Sequence, residues 1–244
     1  ESADNVVVNV NNGGVLETNS AGTANAFGSI TVGGYEAGSQ GTLNVNAGAA
    51  LHIGVNGASS GIKLTARNEA ATNGTINLNG GTITTPRIYT GTNAGSVSTF
   101  NFNGGTLKAN ISNNTNFLTG LTAANVMSGG AMVDTNGYDV TITQNLLHHS
   151  GLDAVPDGGL LKSGAGMLTL AGANTYTGPT NLNAGTLLLN GSIASTDALV
   201  STTGTTLSGT GSCASNGTLS GTHAPGNLIG TPTFTRPLNY APTA

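Results

Sequence analysis

Apolar and polar residues alternate over short stretches along nearly the whole chain. Residues 41–48, 74–81 and 98–105, for example, place an apolar residue at every second position. Gly, Asn or Asp stands at nearly every join between such stretches, and these are the residues that turns require. Helical spacing is confined to 117–127 and 144–151, each long enough for a turn or two. The pattern predicts an all-β protein whose short strands are joined by short irregular loops.

One phrase recurs along this pattern: an asparagine, an apolar residue, a second asparagine, a small residue and a glycine. It begins at Asn9, Asn44, Asn77, Asn101 and Asn181. A solenoid sets the same position of each coil above that position in the previous coil, whereas a sandwich or a closed barrel gives no reason for such repetition. The repeat therefore predicts a single parallel β-helix (a β-solenoid), and the handedness of strand connections favours a right-handed one.

Each position in the phrase has an expected role. The apolar residue between the asparagines points inward, and the asparagines point outward or stack in a ladder between coils. The glycines at the corner supply a positive φ and let the next coil lie about 4.8 Å away; they are Gly13, Gly48, Gly81, Gly105 and Gly185. The starts of the phrase are unevenly spaced, so the coils are not uniform. Coils of roughly 20–25 residues would number about ten to twelve.

The composition excludes several classes of protein. Charged residues make up 7% of the chain, Trp is absent and the formal net charge is −4, which does not suit an ordinary globular core. The six basic residues are scattered, so no basic stripe is present to bind nucleic acid. No apolar run is long enough to cross a bilayer as a helix, which argues against membrane insertion by this chain. The first residues, ESADNVVVNV, lack the regions of a signal peptide and read as a mature terminus.

Residues 158–192, GGLLKSGAGMLTLAGANTYTGPTNLNAGTLLLNGS, carry a closely spaced set of Lys, Gly, Leu, Asn, Tyr and Thr positions. This segment resembles the β-strand repeat of Gram-negative autotransporter passengers, on positions Lys162, Gly164, Gly166, Leu168, Leu170, Gly172, Asn174, Tyr176, Gly178, Thr180, Gly185 and Leu187. The resemblance is closest over 129–231. It implies a parallel β-helix, export, and display at the outer surface of a Gram-negative bacterium. It brings no catalytic residues.

The expected β-helix covers residues 1–231 and leaves a proline-rich tail at 232–244. Because proline cannot donate to a ladder, the tail is predicted not to continue the coils. No C-terminal membrane barrel is evident in the sequence, so the chain is interpreted as a cleaved passenger or a free-standing relative.

Acidic and histidine residues offer candidate sites. Asp134 and Asp139 bracket DTNGYD, and Asp153 and Asp157 bracket DAVPD; a tight turn is favoured over a Ca²⁺ loop at the first pair. His148 and His149 are adjacent, so on a strand they would face opposite ways, and two loop histidines are favoured over a metal site. His52 and His223 are interpreted as structural. Neither a metal nor a cofactor is predicted.

Three functions remain open. The first is a non-enzymatic extracellular protein that self-associates through the solenoid ends into a fibre, sheath or matrix, with Val6, Val7 and Val8 on an exposed strand. The second is a cleaved passenger that serves as a stalk or an adhesin and binds a glycan or a host surface. The third is a polysaccharide lyase, which clustering of Asp134, Asp139 and Lys162 on one face would favour.

Two sequence features bear on these functions. The single cysteine, Cys213, excludes an internal disulfide and leaves either a small semi-buried residue or a disulfide between subunits. Tyrosines aligned on one face could stack on sugars, although their irregular spacing favours scattered packing; they are Tyr35, Tyr89, Tyr138, Tyr176 and Tyr240.

Overall fold

The computed structural model describes residues 5–18, 29–33, 37–55, 60–65, 71–91, 95–111, 114–152, 155–225 and 233–240. Within these ranges the chain forms 29 β-strands and one 3-10 turn, Ser150–Leu152. The strands are numbered in chain order, and most of them have only three or four residues.

The strands of the first five coils are β1 (Asn5–Val10), β2 (Val15–Thr18), β3 (Ser29–Val32), β4 (Gln40–Asn46), β5 (Ala50–Ile53), β6 (Gly61–Leu64), β7 (Asn73–Asn79), β8 (Thr82–Thr85), β9 (Ile88–Thr90), β10 (Val97–Phe102), β11 (Thr106–Ala109), β12 (Asn114–Thr119), β13 (Ala123–Val126), β14 (Ala131–Asp134) and β15 (Val140–Ile142).

The later coils contain β16 (Leu146–His148), β17 (Leu160–Ser163), β18 (Met167–Leu170), β19 (Ala173–Asn174), β20 (Thr180–Leu182), β21 (Thr186–Leu189), β22 (Ser192–Ile193), β23 (Leu199–Ser201), β24 (Thr206–Gly209), β25 (Ser212–Cys213), β26 (Gly217–Leu219), β27 (Thr222–Pro225), β28 (Thr233–Phe234) and β29 (Leu238–Tyr240).

Every named strand pairs in parallel with the strand three positions away in the chain, apart from one break. Sheet A has the order β1-β4-β7-β10-β13-β16, sheet B runs β2-β5-β8-β11-β14-β17-β20-β23-β26-β29, and sheet C runs β3-β6-β9-β12-β15-β18-β21-β24-β27. Sheet D, β19-β22-β25-β28, takes the place of sheet A in the later coils. Three strands per coil and parallel pairing throughout confirm the predicted parallel β-helix; its handedness stays a prediction.

The break between sheets A and D is bridged by a side chain. Asn174 accepts a hydrogen bond from Leu146 N at 3.0 Å through Oδ1, and its Nδ2 donates to Gly172 O and Ser192 O. The buried amide therefore accepts from Leu146 N in place of a backbone carbonyl, while Leu146 O still accepts from Thr175 N at 2.8 Å.

Coil length is uneven along the axis, and the later coils are shorter than the first ones. Equivalent asparagines of the first coils are separated by 35, 33, 24 and 24 residues, as in Asn9 to Asn44 and Asn101 to Asn125. In the later coils of sheet B the paired residues are 20 apart at Leu160 and Thr180, and 18 apart at Leu199 and Gly217. The predicted length of roughly 20–25 residues therefore fits the middle of the helix, and the first coils are longer because they carry extra residues between strands.

The core is a stack of alternate side chains from each strand. In sheet A, Val45 lies in register with Leu78, and Leu78 with Phe102, and all three are fully buried. The rings of Phe100 and Phe102 lie edge to face, with 4.5 Å between centroids. These columns bury the hydrophobic surface that a coil of short strands could not bury alone.

Two expectations about local structure are wrong. Residues 117–127, which carry helical spacing, fall mainly in β12 and β13, and 144–151 contain β16 followed by the 3-10 turn. Strands of neighbouring coils pair with these segments, β9 and β15 with β12, and β13 with β16, and short helices gain too little to compete.

The proline-rich tail was expected to end the ladder, yet β28 pairs with β25 and β29 pairs with β26. Pro237 lies just outside β29. Although it has no N–H to donate, its carbonyl accepts a hydrogen bond from Gly217 N at 3.2 Å. The last coil therefore extends beyond the predicted boundary at residue 231.

The corner glycines follow two patterns. Gly13 and Gly48 have φ of 75° and 74°, as predicted, whereas at the shorter corners the positive φ belongs to Gly80 and Gly104 instead of Gly81 and Gly105. Gly81 is needed for close approach: a Cβ there would lie 2.6 Å from Asn46 O. The corners at Gly13 and Gly48 have one more residue than those at Gly80 and Gly104. The glycine with positive φ is therefore the second residue after the second asparagine of the phrase at the longer corners and the first at the shorter ones.

Candidate functional site

Two rows of asparagine run along the outward surface of sheet A. In the first Asn row (Asn9, Asn44, Asn77, Asn101 and Asn125), each Nδ2 donates to Oδ1 of the previous coil, at 2.7 to 2.8 Å. In the second Asn row (Asn11, Asn46, Asn79 and Asn103), the same bonds measure 2.8 to 3.3 Å. The strand register places identical amides above one another, which is why the ladder forms.

A row of threonines lies beside the first Asn row. Thr42 is in register with Thr75, and Thr75 with Thr99, and all three are half-buried. Alternate residues of a strand share one face, so the Thr row and the two Asn rows form one surface, which we name the Asn/Thr face. Its rows are about 6.6 Å apart and its coils about 4.8 Å apart.

The phrase at Asn181 lies on a different sheet. Asn181 belongs to β20 in sheet B and pairs with Leu161 and Val200, so it does not join the ladder. Gly185, which follows it, has a positive φ of 68°. The phrase marks a strand that ends in a tight corner, and any of the faces can supply such a corner. Asn125, which sequence reasoning missed, keeps the 24-residue spacing from Asn101 but is followed by Met127 where the phrase has its second asparagine.

Asp157 lies at the corner that leads into β17 and links neighbouring coils. Its Oδ1 accepts hydrogen bonds from Gly159 N and Gly178 N, each at 2.9 Å. Its Oδ2 accepts from Thr177 N at 2.8 Å and lies 2.8 Å from His148 Nδ1. Burial raises the pKa of Asp157, but the hydrogen bonds from Gly178, His148, Thr177 and Gly159 outweigh it and lower the pKa below its ordinary value.

This cluster does not have the geometry of a hydrolytic triad. Both the carboxylate of Asp157 and the Thr177 hydroxyl approach the same imidazole nitrogen, His148 Nδ1, at 2.8 Å and 3.1 Å. A triad needs the nucleophile on Nε2 and the carboxylate on Nδ1. His149, the next residue, accepts a hydrogen bond from Gly151 N, and Asp153 lies outside the described residues.

Lys162 is fully buried and points into the β-helix from β17. Its Nζ donates to Gly164 O at 2.7 Å, to Ser163 O and Ala184 O at 2.9 Å, and to Thr135 Oγ1 at 3.2 Å. Desolvation lowers its pKa to about 8, while the negative charges of Asp134 and Asp139 act in the opposite direction. The ammonium group ties three successive coils together at one corner.

The three residues whose clustering would favour the lyase alternative do not meet on one face. Asp134 lies on the exterior of sheet B, where it pairs with Lys108 at 3.3 Å and accepts from Asn136 N. Asp139 accepts from Met167 N at 2.8 Å, and Lys162 is inside the helix. Asn136 has a φ of 52°, so DTNG forms the tight turn that the sequence favoured. Among the residues that the structure describes, no three His, Cys, Asp or Glu come together to hold a metal ion.

Cys213 is completely buried in β25, between Ile193 and Phe234 of the neighbouring strands. Burial raises the pKa of its thiol, with hydrogen bonds from Ser215 acting in the opposite direction. A disulfide between folded subunits through Cys213 is therefore ruled out, because alternation on β25 turns its side chain inward.

Val6, Val7 and Val8 are exposed at 55%, 54% and 44%, at the edge of sheet A. Val8 is in register with buried Leu43, so it occupies an inward position; among the described strands, β1 pairs with β4 alone. These valines and Val15 and Leu16 of β2 make the N-terminal end of the described helix apolar.

The remaining predicted residues are scattered. His52 is exposed in β5, and His223 Nδ1 lies 2.8 Å from Tyr240 Oη. Tyr176 is buried against Thr180, Tyr89 lies under Arg87 on the outside, and Tyr35 is outside the described residues. No aligned row of tyrosines forms among those described. In the same ranges, no helix has the length and apolar character to cross a membrane.

Comparisons with known proteins agree with this fold. Residues 160–189 match the sequence profile of the passenger-associated-transport-repeat family, so the resemblance to autotransporter passengers is confirmed for this part of the chain. A 75-residue stretch is 49% identical to an extracellular serine protease of Serratia marcescens. It covers 30% of this chain and 7% of that protein, so the chain matches a small part of its relative. No solved structure matches the chain.

Proposed function

We propose that this chain is a non-enzymatic segment of an exported passenger and serves as an extracellular stalk at the surface of a Gram-negative bacterium. The observation that carries the proposal is the continuous ladder of sheet B, whose ten strands extend the helix for roughly 45 Å. The passenger-associated repeat at 160–189 supports export. The extracellular relative supports the same location.

The use of the buried charged groups supports a structural role. The Nζ of Lys162 and the carboxylate of Asp157 are occupied by backbone and neighbouring side chains of adjacent coils. A general acid or base must contact its substrate. A fully buried group whose hydrogen bonds are made to the backbone of adjacent coils cannot do so. Both residues therefore stabilise the stack of coils in this proposal.

A second candidate function is self-association into a fibre, and the exposed valines of β1 favour it. An edge strand with unpaired backbone groups and apolar side chains pairs readily with another strand. That strand can come from a second copy of the chain or from preceding residues of a longer chain.

Electron microscopy and sedimentation over a concentration series separate the two functions. Isolated rods at every concentration are expected for the stalk. Filaments would support the fibre if V7K, which places a charge on the edge strand, abolishes them while V97K does not. Val97 is the matched control because it is exposed at 43% on sheet A, away from the edge.

Incubation of the same preparation with polygalacturonate tests the absence of catalysis. Unsaturated oligosaccharide products that disappear in the D134N/D139N variant would contradict the proposal and would favour the lyase. No product, from a sample whose circular dichroism shows a folded β protein, is the expected result.

A further inference from the structure

Charge is distributed unequally over the outside of the β-helix. The strands β1, β4, β7, β10 and β13 contain no Lys, Arg, Asp or Glu. The charged side chains of the other faces include Lys108 and Asp134 of sheet B and Lys63 of sheet C. The Asn/Thr face is thus a neutral polar surface, whereas the strands of sheets B and C include charged side chains.

The amides of this face are fixed in position. Each asparagine inside a row uses one Nδ2 hydrogen and one Oδ1 lone pair for the ladder. A side-chain amide has two N–H donors and two oxygen lone pairs, so each asparagine keeps one further donor and one further acceptor. Because the ladder already restricts the rotamers, a ligand that binds these groups loses less side-chain entropy on binding.

We infer that the Asn/Thr face binds a neutral, linear polysaccharide lying along the Asn rows. The amides and the hydroxyls of Thr42, Thr75 and Thr99 offer paired donors and acceptors to sugar hydroxyls. Along each row the same side chain recurs at every coil, about every 4.8 Å, which gives several similar subsites, so a polymer gains affinity by multivalent contact. This inference rests on the proposed function only in that a displayed stalk meets external glycans.

The chemistry of the face selects this class of partner over others. An anionic polysaccharide needs Arg or Lys, which these strands lack. A protein partner usually anchors on large aromatic or Arg side chains, and Phe100 and Phe102 point into the core. Without an aromatic platform each sugar unit binds weakly, so binding depends on chain length.

Affinity electrophoresis of the full chain tests the inference. The probes are gels with soluble hydroxyethyl cellulose, galactomannan or β-1,3-glucan, and gels with polygalacturonate or heparin. We expect retention by at least one neutral polymer and none by the anionic polymers. The triple variant T42V/T75V/T99V should bind about tenfold more weakly, because it loses three hydroxyl partners.

The triple variant keeps the asparagine ladder, and valine suits a strand, so it is expected to fold. The matched control is T82V/T106V, which removes outward threonines from sheet B and should bind like the parent chain.

Lack of retention by all three neutral polymers, or equal loss in the control, would overturn the inference. So would concentration-dependent association of the parent chain that T42V/T75V/T99V abolishes, because the occupant would then be a second copy. These outcomes leave the microscopy and lyase results unchanged, so the proposed stalk is judged separately.

Discussion

Replacing Lys162 by methionine tests how far a buried ammonium group stabilises the coils. Methionine fills a similar volume but donates no hydrogen bond. Ser163 O still accepts from Thr135 N at 3.1 Å, and Thr135 Oγ1 still has Gly166 O within 3.3 Å. In the described part of the chain, Gly164 O and Ala184 O lose the donor that the structure gives them.

A buried acceptor without a partner costs about 1–3 kcal/mol. Two such carbonyls, offset by the removal of a desolvated charge, give an expected loss of about 3 kcal/mol in the free energy of unfolding. Lys108→Met is the control, because Lys108 is partly exposed and its ion pair with Asp134 is worth less than about 1 kcal/mol.

Urea unfolding followed by far-ultraviolet circular dichroism measures both variants, since the chain has no Trp for fluorescence. The dependence on urea should keep its slope, which shows that the same surface unfolds. If Lys162→Met were as stable as Lys108→Met, the desolvation of the ammonium would outweigh its four hydrogen bonds, and the corner would not depend on Lys162.

Two further predictions concern Asp157 and Cys213. The folded pKa of Asp157 lies below its ordinary value of 3.8, so its stabilisation is present above pH 3.8 and is lost as the pH falls through the folded pKa. Asp157→Asn should therefore reduce the fall in melting temperature between pH 6 and pH 2. Asp197→Asn changes an exposed residue and should leave that fall as it is in the parent chain. Cys213 should react with a thiol reagent at the rate of unfolding; fast labelling in native buffer would contradict its burial. Any filaments should persist in reductant.

The repeated phrase predicted the β-helix because its information is local. Each asparagine precedes a corner, and the corner fixes where the next strand begins, so Asn44 and Asn77 align without knowledge of the rest of the fold. The phrase does not encode the face, which is set by the number of corners passed since the previous copy. This is why Asn181 belongs to sheet B while the other four belong to sheet A.

The buried polar residues were harder to predict. Lys162 lies two residues after Leu160 on β17, so the alternation of the strand already indicated that its side chain points inward. A lysine at such a position nevertheless needs several oxygens to converge on it, and those of Thr135 and Ala184 come from other coils. The contacts of Asp157 likewise depend on Thr177 and Gly178, which pairing brings close only after the coils stack.

The unequal coil lengths have a consequence for how this protein can vary. Paired strands keep their register whether 35 or 24 residues separate them, so the additional residues lie between strands and leave the ladders unchanged. The number of residues between strands in the first three coils can therefore change while the paired strands keep their register. The later coils, with as few as 16 residues between the paired Thr206 and Thr222, have no such additional residues. Evolution or engineering can thus diversify the N-terminal half, where new segments would be displayed on an invariant frame.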